Sequence, residues 1–247
     1  KSAKFKGKVR GAMIYPAVIL VVIVVVIGLL MVVLVPTITS LFADFGSELP
    51  LATRIIVAIS NFTVSYWYII LIAVVGIVAG FIYYRKTPSG REVTDDLILK
   101  APVFGSLIQK SQIASMARTL QMLMKSGIPI LDSLEITKGA LSNVHFQKGL
   151  ADAKLAVEKG SSLAVPLAKN ERFPILLSRM VAVGEETGKL DEVLGKIASY
   201  YEDEVDQMAD NLSAALEPLM LILMGTIVAF IAIAVYYPLF SLGDVIK

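Results

Sequence analysis

The side chains of this 247-residue chain that could do chemistry are mostly carboxylates, in two groups. Glu185 and Glu186 lie close to Asp191 and Glu192, and Glu202, Asp203, Glu204, Asp206 and Asp210 follow with no basic residue among them. Oxygen ligands of this kind can hold a hard cation, but the first group lacks the alternating-acid loop of an EF-hand. Helix capping accounts for it without a ligand. Gly188 suits the left-handed end of one helix, and Asp191 and Glu192 fall in the first turn of the next, where the helix dipole favours negative charge. The second group reads either as a solvated helix face or as an acidic docking surface for a basic partner.

Other chemistry is missing from the sequence. Cysteine is absent, which removes disulfides, thiolate nucleophiles and thiolate metal sites. His145 is the single histidine, beside Asn143 in a polar connection, and reads as a surface or capping residue rather than a catalytic base. No HExxH, Walker A, GxSxG or paired-glycine nucleotide motif occurs. The expectation is a protein that is not an enzyme, with no cofactor and no bound metal.

The elements that carry these residues are unusual. Ala17–Val35, Tyr66–Tyr84 and Leu219–Tyr237 hold no charged residue, and each is 19 residues long. As a helix rising about 1.5 Å per residue, each matches a hydrocarbon core of about 30 Å. Hydrophobic residues make up 56% of the chain and charged ones 18%, with a mean hydropathy of +0.73. Such a balance suits a protein that is part membrane and part water-soluble. The first stretch is too long for a signal-peptide core and is read as a retained span. Lys1, Lys4, Lys6, Lys8 and Arg10 precede it, and Arg85, Lys86 and Arg91 follow the second, whereas residues 36–65 contain only Arg54. The positive-inside rule then predicts a cytoplasmic N-terminus and a cytoplasmic domain between the second and third spans. No Asp, Glu, Lys, Arg or His lies within a span, which argues against ion pathways and intramembrane proteolysis. Gly76 with Gly80, and Gly225 with Ala229, have the small-xxx-small spacing that lets helices approach closely.

The soluble part reads as helical throughout. Ile113, Met116, Ala117, Leu120, Leu123 and Met124 form one apolar stripe, ended at Ser126-Gly127, and Pro129 suits the next first turn. Ala140–Phe146 and Gly160–Ser162 break the pattern on either side of a helix near Gln147–Glu158. Pro174 opens a helix with Ile175, Leu176, Met180, Val181 and Val183 expected on its buried side. From Leu190 a period near 3.6 runs through Leu194, Ile197, Tyr201, Val205, Met208, Leu212 and Ala215 to Leu219. One long helix is therefore expected to enter the third span, with Pro218 able to kink it. Charge divides along the domain: residues 85–179 hold 14 basic and 8 acidic side chains, residues 180–218 hold 2 and 10.

At Lys8–Pro16, Arg118–Pro129, Phe173–Leu190 and Glu217-Pro218 the chain resembles the type II secretion protein F family, which includes the platform proteins of type IV pilus assembly. The run Gly184-Glu185-Glu186-Thr187-Gly188 carries most of the resemblance, and Tyr237–Gly243 resembles the pilus branch more closely. The resemblance implies an inner-membrane platform in bacteria that couples a cytoplasmic hexameric ATPase to the extraction and polymerisation of pilin or pseudopilin subunits. It also implies contacts with other inner-membrane assembly proteins, the lipid bilayer and further copies of itself, and none with nucleic acid. Family members have two related helical domains, so Lys1–Tyr15 resembles the end of a first one, and the chain, starting at Lys1, is expected to be part of a longer protein.

The fold expected is an all-α membrane protein with three transmembrane helices and a cytoplasmic antiparallel helical bundle. Its parts are the end of a preceding domain (1–16), a transmembrane hairpin (17–84) with an extracytoplasmic loop (36–65), the cytoplasmic domain (85–218), a third transmembrane helix (219–237) and an extracytoplasmic tail (238–247). Glu185, Glu186, Glu202, Asp203, Glu204, Asp206 and Asp210 are the candidate partner-binding residues. The alternative is a non-enzymatic subunit of a membrane transport or channel complex, for which charged residues on an inner face of the spans would be the mark.

Overall fold

The structure, a computed structural model, describes residues 18–19, 21–29, 32–33, 35–37, 39–40 and 51–245. The described residues are helical with turns between, and no strand occurs among them. From residue 51 the helices are α1 (Leu51–Lys86), α2 (Pro88–Lys100), α3 (Phe104–Lys125), α4 (Ile130–Ala140), α5 (Val144–Glu158), α6 (Ala164–Lys169), α7 (Ile175–Thr187) and α8 (Leu190–Val245). Two compact units result. One takes the chain from Ile82 to Asn211, and the other takes the described residues up to Phe81 and those from Leu212 onward.

α1 contains the one helical stretch among the described residues long and apolar enough to cross a membrane, Ser60–Lys86, 27 residues and about 40 Å, of which the part up to Phe81 belongs to the second unit. None of its apolar window is buried. Tyr66 has non-helical dihedrals (φ −115°, ψ 16°), so α1 bends where the charge-free stretch begins. A Cβ built on Gly76, Gly80 or Gly225 would meet no described atom within 4 Å, and Ala229 is exposed. Most of the charge-free stretch at 17–35 belongs to the described residues, and the helix from Leu190 continues through 219–237 into the expected tail as far as Val245, with residues 246–247 of that tail outside the described residues.

The first unit is a bundle whose corners follow from local chemistry. Thr87 caps α2 by accepting from the Gly90 amide at 3.1 Å, and Pro88 fits the first turn. Asn143 caps α5, accepting from the His145 amide at 2.9 Å. Gly127, Gly160 and Gly188 have φ of 80°, 84° and 67°, the left-handed conformation that costs glycine little. Val103 is the exception, a β-branched residue at φ 64° where Phe104 N donates to Pro102 O at 2.7 Å in a tight γ-turn between α2 and α3.

The core is built from Ile113, Met116, Leu120, Leu134, Phe146, Leu150, Leu167, Leu177, Val181, Leu194 and Ile197, all essentially inaccessible. Each such side chain contributes about 1.5–3 kcal/mol relative to an exposed one. The stripe expected on α3 is therefore the buried one, with Leu123 and Met124 half-buried at its end. On α7 the expectation needs correcting. Leu177, Ser178 and Val181 face the core and Met180 packs against it, but Ile175, Leu176 and Val183 are exposed. Apolar residues surround most of this helix, so its pattern does not define a phase.

Candidate functional site

The carboxylates singled out in the sequence lie along α8 and at the α7–α8 corner. α8 runs antiparallel to α3: Lys110 meets Glu204, Arg118 meets Glu202, and Gly195 meets Gln121. Gly195 permits this approach, because a Cβ there would come within 2.5 Å of the Gln121 amide nitrogen. Arg118 donates through Nε to Glu202 Oε1 at 2.9 Å and through Nη2 to Glu202 Oε2 at 2.6 Å, a two-bond fork. It donates further to Gln121 Oε1 at 2.7 Å and Ser199 Oγ at 3.2 Å. The hydrogen bond to Glu202 pushes the Arg118 guanidinium above its ordinary value against the opposing effect of partial burial. Lys110 Nζ donates to Glu204 Oε2 at 2.5 Å. Beneath this seam Tyr201 is buried, and burial, reinforced by Tyr200 and Glu204, raises its hydroxyl.

Glu202 and Glu204 therefore hold the bundle together, while Asp203 and Asp210 are exposed and Asp206 is half-buried. The basic partners come from 84 and 94 residues away, a separation with no sequence signal. Arg118 and Lys110 are residues that reasoning from the sequence did not assign to this cluster.

The Gly184–Gly188 run has a separate structural account. A Cβ on Gly184 would press on Leu190 and Val193 at 3.1–3.2 Å, so this glycine lets α7 pack onto the start of α8. Gly188 N donates to Glu185 O at 3.3 Å and Lys189 N to Gly184 O at 2.9 Å, the paired bonds of a Schellman end. The Glu185 carboxylate accepts from Leu163 N at 2.6 Å, Ala164 N at 3.1 Å and Ser162 Oγ at 2.5 Å, closing the start of α6. Thr187 Oγ1 donates back to Val183 O at 2.7 Å. The Glu186 side chain is exposed and makes no hydrogen bond or ion pair among the described residues. Glu185 thus serves the fold and does not converge with Asp191 and Glu192. Among the described residues, no three His, Asp or Glu side chains are arranged to hold a metal ion.

A second polar centre went unassigned in the sequence. Asp95 is buried at the α1–α2 corner, where Arg85 Nη2 donates to its Oδ1 at 3.2 Å and Val144 N donates to its Oδ2 at 2.9 Å. Gln112 Oε1 accepts from Ser142 N at 3.1 Å and Asn143 N at 3.3 Å. The end of α1 and the start of α5 are thereby tied to one carboxylate. Gly90 makes the corner possible, since a Cβ there would sit 2.0 Å from Tyr84 O.

Residues 116–238, from within α3 to near the end of α8, match the family model described as type II secretion system (T2SS), protein F. The chain is 36% identical to the type IV pilus assembly protein PilC of Pseudomonas aeruginosa, with 100% of this chain and 66% of that protein covered. It is 41% identical to the PilC of Thermus thermophilus over 98% of this chain and 60% of that one. The type II secretion system protein F of P. aeruginosa is 30% identical over 97% and 59% respectively. The chain belongs to the type II secretion protein F family. As a protein F family member it spans a little under two thirds of the length of these relatives. The family match takes in both the Gly184–Gly188 corner and the Arg118–Glu202 fork. In this protein F family member the corner is thus a set of packing and capping devices, with Glu186 left over.

Proposed function

We propose that this chain is part of an inner-membrane platform protein of a type IV pilus assembly machine, or of the related type II secretion machine, in a bacterial cell. It works without chemistry of its own, coupling a cytoplasmic hexameric ATPase to the extraction and polymerisation of pilin subunits. Family membership supports this reading, and the higher identity to the two PilC proteins favours the pilus branch. In this reading 17–35, 66–84 and 219–237 cross the bilayer, and 85–218 is the cytoplasmic domain. Pilins, other inner-membrane assembly proteins and further copies of the chain are its neighbours. Gly76, Gly80, Gly225 and Ala229 are open positions for the approach of another helix.

The observation that carries the mechanism is α8, a single helix from Leu190 to Val245 with residues in both compact units. Its first turns are fastened into the bundle core through Leu194, Ile197 and Val205 and to α3 through Arg118 and Lys110. A push on the bundle then reaches the apolar end of α8 without a slack linker. Inserting a flexible Gly-Ser segment near Ala214 should stop filament assembly while ATPase binding persists. Normal assembly from that variant would overturn the lever.

The acidic docking face is proposed in a narrower form. Its exposed members are Asp203 and Asp210, with Asp206 half-buried between them. The paired change Asp203→Lys with Asp210→Lys should block assembly and ATPase recruitment at unchanged protein level. Full recruitment would assign the motor contact elsewhere.

A further inference from the structure

The two sides of α2 are each fixed by contacts. Gly90 lies against the end of α1, because a Cβ built there would stand 2.0 Å from Tyr84 O. That carbonyl is one of the last four of α1, which point out of the C-terminal end of the helix. The Gly90 face of α2 is therefore laid across the end of α1 and looks back down its last turn. The bundle holds the other side. Glu92 meets Lys148, Asp95 meets the Val144 amide and Asp96 meets Arg172. At 3.6 residues per turn, these three acids stand about 120–160° round the helix from Gly90.

By the same spacing Leu97 stands about 20° from Gly90 and Val93 about 60°. Both belong to the α1 side, and they are 61% and 48% exposed. The apolar pair thus faces the direction from which α1 arrives, and no carboxylate of α2 shares that side. Lys86, at the junction, is exposed and makes no ion pair among the described residues. Tyr83 and Tyr84, both exposed, close the apolar stretch of α1 just before the corner, where aromatic rings suit a membrane–water boundary. A helix laid across the end of a span, apolar toward the span and acidic away from it, has the pattern of an interfacial helix. We propose that the Val93–Leu97 face of α2 rests on the cytoplasmic lipid surface, with these two side chains among the headgroups and Lys86 toward their phosphates. This contact rests on the reading of α1 as a membrane span, and it adds a lipid-binding surface outside the spans.

No cysteine occurs in the 247 residues, which allows a polarity-sensitive nitrobenzoxadiazole probe to be attached at one chosen position. The intact protein, with any cysteine outside these residues changed to serine, carries Leu97→Cys, Leu155→Cys or Ile77→Cys in vesicles of phosphatidylcholine and phosphatidylglycerol. Lipids with a nitroxide near the headgroup should quench the Leu97→Cys probe at least about twofold more than the Leu155→Cys probe, since an interfacial helix sits about 5–10 Å into the headgroup boundary. Leu155 is 54% exposed on α5, so aqueous iodide should show the reverse order. Equal lipid quenching at the two sites, or quenching of the Leu97→Cys probe by iodide alone, would overturn the contact. Protection of that probe from both quenchers would overturn it too, assigning the face to a protein partner. The Ile77→Cys probe reports on the span separately, because nitroxides near the bilayer centre should quench it. If they do not, α1 is no span and both proposals fall; if they do while Leu97→Cys stays in water, the lipid contact alone falls.

Discussion

Arg118 and Glu202 form a two-bond fork, 2.9 Å through Nε and 2.6 Å through Nη2, between helices that are 84 residues apart in the chain. Their side chains are 17% and 23% exposed, so water screens the pair only partly. Arg118→Ala should lower stability by about 2–3 kcal/mol, because it removes the partner of a mostly buried carboxylate. Arg118→Lys should recover less than half of that, since an ammonium cannot reproduce the fork. Denaturant unfolding of the detergent-solubilised protein measures both; equal stability of the Lys variant and the parent would contradict the fork's role.

Glu185 and Glu186 are neighbours with opposite assignments. Glu185→Ala should cost about 1–3 kcal/mol by leaving the Leu163 and Ala164 amides without their acceptor. Faster hydrogen exchange confined to the start of α6 is the accompanying signature. Glu186→Ala should stay within about 0.5 kcal/mol of the parent, as exposed sites commonly do.

Thr137 is fully buried on α4, and its hydroxyl has no hydrogen-bond partner among the described residues. Thr137→Val keeps the shape and removes the unsatisfied group, so it should raise stability by about 1 kcal/mol. Thr137→Ser keeps the hydroxyl and loses a methyl, and should lower stability by about 1 kcal/mol. A Val variant less stable than the parent would show that the hydroxyl is bonded in solution.

Acid should loosen α2 from its neighbours. Glu92 is held below its ordinary 4.5 by the hydrogen bond from Lys148 on α5, and Asp96 below its ordinary 3.8 by that from Lys100, with Arg172 adding to it. Both are carboxylates with depressed folded values. Their contribution is complete above the ordinary values and is lost as pH falls through the lower folded ones. Thermal unfolding followed from pH 7 to 3 should be level for these groups down to about 4.5 and decline below it, and Glu92→Gln with Asp96→Asn should flatten the decline. A decline of equal size in the double variant would assign the acid sensitivity elsewhere.

The all-helical class, the glycine corners at 127, 160 and 188, the stripe of α3 and the long helix from Leu190 were all legible in the sequence. So was the family, through a run whose residues cap and pack one corner. Each of these depends on residues within one or two helical turns of one another, or on a backbone conformation that glycine adopts at little cost.

Tertiary structure decided what faces what. Glu202 and Glu204 were an unrelieved acidic run until folding brought Arg118 and Lys110 beside them, and Asp95 was one acid of a pair until Arg85 and the Val144 amide closed on it. The phase of α7 was decided in the same way. With apolar residues nearly all round, only the packing of Leu177 and Val181 into a core drawn from the other helices determined that Ile175, Leu176 and Val183 face out. Periodicity is a property of one helix, whereas ion pairing and burial belong to two or more, brought together from distant parts of the chain.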